Sequence, residues 1–147
     1  MSKLAAQIRT LLTQGVTPQE LALALTLGLA LGITPVLGST TLLCAAAAAS
    51  LRLNLPAMQV VNWITYPLQL VLLIPFLRLG AWLFGVEFAL PLEHVVHLVT
   101  TQPWRAIVEL WTATIHGLVA WAALSAVLAV PIYRVILALL GRVSKRP

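Results

Sequence analysis

Charge is scarce in this sequence, and aspartate is missing altogether: nine Lys or Arg and four Glu make up 9% of 147 residues. A soluble domain carries about 25% charged residues, so an ordinary water-facing surface around a core is excluded. With 61% hydrophobic residues and a mean hydropathy of +0.99, the chain reads as an integral membrane protein. Its length allows one domain, residues 1–147. The lone cysteine, Cys44, rules out an internal disulfide and reads as a small buried thiol. There is no nucleophile elbow, no P-loop and no nucleophile–base pair, so neither enzymatic activity nor a cofactor is expected. The net charge of +5 comes from basic residues at segment ends. That is the pattern of the positive-inside rule, not of a nucleic-acid surface.

What the chain has instead is long apolar runs. Residues 21–51 contain no charge. As one helix they would measure about 46 Å, against a hydrocarbon core of about 30 Å. The run is interrupted at Gly32-Ile-Thr-Pro35-Val-Leu-Gly38-Ser-Thr-Thr41. Pro35 lacks an N–H and disfavours the helical conformation at Thr34, and Gly32 and Gly38 suit turns. Two helices are predicted, over 18–33 and 39–51. Thr17, Pro18 and Glu20 supply an N-cap, a first-position proline and a capping box for the first, and Ser39, Thr40 and Thr41 are candidate caps for the second. Ala24, Gly28 and Gly32 form a small-residue stripe, expected to pack on Ala45 to Ser50 of the second helix. The pair is either two short spans or a re-entrant hairpin. The re-entrant form is preferred, with its turn buried in protein.

Residues 52–56 form a turn, and residues 53–77 are a second uncharged run that contains Pro67 and Pro75. This run is read either as another broken helix or as an interfacial segment, 58–66, before one span, 68–84. Residues 85–105, with Glu87, Glu93, His94, His97 and Arg105, read as a surface helix and linker. A last span is expected over about 106–133, closed by Pro131 and followed by a basic tail, 134–147. The start, 1–14, is too polar for a signal-peptide core, and Leu4, Ile8, Leu11 and Leu12 share the face of an amphipathic surface helix. Lys3, Arg9, Arg52 and the tail place both termini and the 52–56 turn in the cytoplasm, with 87–104 outside. The fold class expected is all-α and membrane-integral: a Pro/Gly-broken hairpin, two further membrane segments and amphipathic surface helices.

Several pieces appear in a recognisable order: Thr17-Pro18, the string from Gly32 to Thr41, Leu51-Arg-Leu-Asn54-Leu-Pro56, Trp63-Ile-Thr-Tyr66-Pro67-Leu-Gln69 and Arg78-Leu-Gly80. Through them residues 15–84 resemble the bacterial membrane family catalogued as domain of unknown function 2062. Tyr66 departs from the family pattern, which carries Asn before Pro-Leu, and no match is expected beyond about Gly85. The resemblance implies a helical fold in a bacterial inner membrane. Its broken segments look like those of DedA-type lipid carriers.

Half-helix N-termini aim positive dipole ends at anions in transporters with discontinuous helices. On that logic Thr34, Ser39, Thr40 and Thr41 are candidate ligands, with Asn54, Asn62, Thr65 and Gln69 lining a path. The competing reading has the hydroxyls cap the helix and the amides tie helices together. Arg52 and Arg78 are lipid-phosphate contacts or snorkelling interface anchors. Glu109 and His116, seven residues apart, share a helix face and suggest a proton relay. Glu93, His94 and His97 fall short of a metal set, and no metal is expected. The function expected is transport or binding of a small or lipid-linked anion; the alternative is a non-transporting scaffold or accessory subunit. The partners expected are membrane lipids and further copies of the chain, because few spans do not enclose a polar path alone, or a larger membrane complex.

Overall fold

The computed structural model describes Ala6, Thr10 and residues 15–87 and 91–144. The surface helix expected from Leu4, Ile8, Leu11 and Leu12 lies outside the described residues. Among those described, every regular element is a helix: α1 (Pro18–Gly32), α2 (Thr40–Leu51), α3 (Leu55–Leu83), α4 (Leu92–Thr101) and α5 (Pro103–Ser144).

Both ends of α1 follow from local chemistry. The Thr17 hydroxyl accepts from the Glu20 amide at 3.2 Å, and the Glu20 carboxylate accepts from the Thr17 amide at 2.9 Å. The Thr17 amide first, and its hydroxyl second, hold the Glu20 carboxyl below the usual carboxylate range. At the other end Ile33 and Thr34 donate back to Leu29 and Leu31, both at 3.2 Å, and the chain opens over 33–39. Gly38 sits there at φ +82°, a left-handed conformation that favours glycine.

The prolines of α3 do not interrupt it. The helix starts at the Asn54 cap, whose side-chain oxygen accepts from the Ala57 amide at 2.8 Å, and continues through Pro67 and Pro75 to Leu83. Of the two expected arrangements the broken helix does not hold: 58–66 and 68–83 belong to one helix, unbroken at Pro67. Both prolines lie on the exposed side. The buried residues of the helix lie on another side, from Met58 through Asn62, Thr65 and Gln69 to Phe76 and Gly80, so packing keeps the axis continuous past each lost backbone bond.

Pro131 likewise fails to end α5, which runs for 42 residues, or about 63 Å. Part of the expected basic tail is therefore helix as far as Ser144. The cause is apolar burial beyond the proline: Leu140 joins Leu21, Ala22 and Ala57 in one cluster, with Tyr133, Ile136 and Leu137 against it.

Helix α1 lies parallel to α3, and both run antiparallel to α5. Gly28 abuts Met58, Gly32 abuts Asn62 and Thr65, and Gly80 of α3 meets the backbone of His116 and Gly117 in α5. The small-residue stripe therefore packs differently from the expectation. Met58 O and Cα lie 2.9 and 3.1 Å from where a Gly28 side chain would begin, so the two glycines admit α3, not α2. Only Ala24 of the stripe joins the α2 residues Cys44 and Ala48, with Met58 completing that cluster. Helix α4 rests on α5. Helices α3 and α5 are each long and apolar enough to cross a bilayer.

Candidate functional site at the helix break

Asn62, Thr65 and Gln69 recur at helical spacing, so they share a face of α3. All three are buried against α1 and the 33–39 break. An apolar helix that carries amides can keep them bonded only by turning them toward other protein.

At the top of this face the Gln69 Nε2 donates to the Thr34 carbonyl at 2.7 Å, which supplies a partner where the helical ladder has stopped. Gln69 is 1% exposed, and among the described residues its Oε1 is a buried acceptor without a partner. The Thr34 hydroxyl donates to Leu31 O at 2.7 Å. The Thr65 hydroxyl lies 2.9 Å from Val61 O and 3.0 Å from Asn62 O.

One turn lower a second polar group ties α3 to the start of α2. The Asn62 amide donates to the Thr41 hydroxyl at 3.4 Å and to Gln59 Oε1 at 3.2 Å, and Gln59 Nε2 donates to the Thr41 carbonyl at 3.0 Å. Gln59 is missing from the expected site set, although it stands three residues before Asn62 and that spacing already puts it on the same side. Trp121 was also missed. Its indole N–H donates to Ala30 O at 2.8 Å and fastens α5 to the last turn of α1; an aromatic within an apolar run gives no hint of so distant a partner.

Three expected roles change. Ser39 does not cap α2: it has helical backbone angles, φ −89° and ψ −17°, and its hydroxyl donates to Val36 O at 3.0 Å. Asn54 is the N-cap of α3, about two turns before Asn62, and its side-chain oxygen is taken up by the Ala57 amide. Glu109 pairs with His94, Oε2 to Nε2 at 3.4 Å, whereas His116 stacks on Phe84 with ring centroids 4.3 Å apart. The Glu109–His116 relay is therefore not assembled.

Thr40 is buried in the first turn of α2 and Thr41 is exposed. The ladder of α2 opens with the Leu43 N–H donating to Ser39 O at 3.0 Å, so the amides of Thr40, Thr41 and Leu42 precede it. Arg52 closes α2 in a left-handed conformation, φ 54°. Arg78 is exposed near the far end of α3. The two arginines thus mark opposite ends of one helix.

Among the described residues these features define an all-helical fold with two helices of membrane-crossing length and a buried polar seam at a helix break. The family described as "Uncharacterized protein conserved in bacteria (DUF2062)" matches residues 2–146, and the chain belongs to it. The match extends well past Gly85, where the resemblance was expected to stop, so α4 and α5 are part of the family's shared chain. No curated protein and no solved structure matches.

Proposed function

We propose that this is a multi-pass protein of the bacterial inner membrane, with both termini cytoplasmic, that binds and carries a small or lipid-linked anion at a re-entrant helix break. In this reading α3 and α5 cross the bilayer, and α1 and α2 enter and leave from the cytoplasmic side. One observation carries the proposal. Thr34, at the break, meets Gln69, the midpoint of the 29-residue α3. If α3 crosses, the break lies about 21 Å from either end of it, near the bilayer centre.

The hydrogen bonds narrow the anion site. The Gln69 donor serves Thr34, and the Asn62 donors serve Thr41 and Gln59. The Thr41 hydroxyl accepts from Asn62, which leaves its own hydrogen for a ligand beside the first-turn amides of α2. Helix polarity adds about half a positive charge at that end. The anion is therefore recognised at Thr40, Thr41 and Leu42, with Gln59 and Asn62 holding Thr41 in place. Anion flux into liposomes that contain the full chain tests this. Thr41→Val is expected to lower flux about tenfold, the worth of one hydrogen bond to a charged group; unchanged flux in this variant and in Pro35→Ala would overturn the reading.

A second reading, a scaffold or accessory subunit, is favoured by the outward faces of the long helices. Only 22% and 6% of their most apolar stretches are buried, which leaves surface for other helices. Cysteine labelling separates the two readings: if positions 38–41 and 62–69 are never reached by water, the scaffold replaces the carrier.

A further inference from the structure

Away from the break, the end of α3 and the first turns of α5 separate beside α4 and leave a cavity of about 330 Å³. Leu77, Val108 and Ala113 give it apolar walls, and Glu87, His94, Glu109 and His116 are its titratable groups. Among the described residues no Lys or Arg lines it. The side chains of the polar group are held in place: His94 Nε2 lies 3.4 Å from Glu109 Oε2, and the Phe84 ring stacks on His116. Glu87 is exposed at the rim.

Two carboxylates beside apolar walls, with no Lys or Arg among the lining residues and only the His94 imidazole in contact with Glu109, give the cavity a negative potential. That potential selects a cation. Among the described residues no three His, Cys, Asp or Glu side chains gather as metal ligands do. The apolar walls offer a hydrated metal ion nothing, but they suit a hydrocarbon body.

We propose that this cavity binds a primary ammonium group carrying an apolar body, with Glu109 and Glu87 as its counter-charges. The ammonium belongs either to a soluble amine or to the headgroup of a membrane lipid. The site is separate from the helix break and does not depend on the anion reading.

Calorimetric titration of the full chain in detergent with benzylammonium, benzyl alcohol and benzoate tests this. Benzylammonium is expected to saturate one site, and the neutral and anionic analogues to bind at least about tenfold more weakly, since only the first makes a charge-assisted contact. Glu109→Gln and Glu87→Gln should each weaken benzylammonium about tenfold. Glu87 is exposed, so its variant remains informative if Glu109→Gln fails to fold. Thr41→Val should leave benzylammonium binding unchanged, which keeps this outcome distinct from failure of the anion site. In phosphatidylglycerol bilayers, competition by added phosphatidylethanolamine identifies the lipid headgroup as the occupant, and its absence identifies a soluble amine. Equal binding of the three analogues, or affinity unaffected by both glutamine variants, overturns the proposal.

Discussion

Gly32, Gly80 and Gly141 differ in what lies where a side chain would begin. At Gly32 the space holds the Thr65 hydroxyl, with Asn62 Cα at 3.3 Å; at Gly80 it holds the His116 carbonyl, with the Gly117 nitrogen at 2.8 Å; at Gly141 nothing lies within 4 Å. Backbone cannot swing aside, so Gly80→Ala is expected to cost about 1–3 kcal/mol. Gly141→Ala should instead gain about 0.5–1 kcal/mol of helix propensity. Unfolding in mixed micelles compares the two. Gln69→Leu removes the donor to Thr34 but also the unpaired Oε1, so its expected cost is modest, about 1 kcal/mol. At Glu20 the carboxyl is held below its usual range, so its contribution is present at neutral pH and disappears as pH falls through that lowered value. Amide protection at Thr17 and Glu20 should therefore fall in acid, and Glu20→Ala should remove that dependence. The Thr17–Glu20 box and the burial of Cys44 were legible in sequence because each follows from a few neighbouring residues or from composition. The partner of Gly28 was not legible, because spacing identifies a face and not the helix that meets it.

At the scale of elements the same division recurs. The end of α1 at Gly32 and the start of α2 at Thr40 lie within a residue of the expected bounds, because Pro35 and Gly38 act locally. The continuity of α3 through Pro67 and Pro75, and of α5 through Pro131, depends on contacts made on faces away from the prolines. A proline declares its local cost in sequence; the packing that overrides it is tertiary. It follows that Pro67→Ala should leave α3 intact and recover one backbone bond to Trp63 O, a gain of about 0.5–1.5 kcal/mol. A loss of stability in this variant would show that the fold needs the proline itself at position 67. At the candidate site, the inward turn of Asn62, Thr65 and Gln69 was readable from their spacing, and the Asn54 cap from the Asn-Leu-Pro start of α3, whereas the pairing of Glu109 with His94 needed the packed helices.

In the proposed arrangement of the whole molecule, the break reaches the middle of the bilayer and the chain returns to the side it came from. Helix α1 covers one half of α3 and the Glu109–His94 cavity lies at the other end, so if α3 crosses the bilayer the two proposed sites face opposite sides of the membrane. Replacing Cys44 with Ala frees the chain for single labels. A nitroxide at position 37, half exposed at the break, reports depth through its relative accessibility to oxygen and to a water-soluble nickel complex, while thiol reagents applied from either side report the positions of residues 17 and 52. The label at 37 is expected near the bilayer centre, with 17 and 52 both reached from the cytoplasm. Labelling of 17 and 52 from opposite sides, or a label at 37 standing in bulk water, would contradict it.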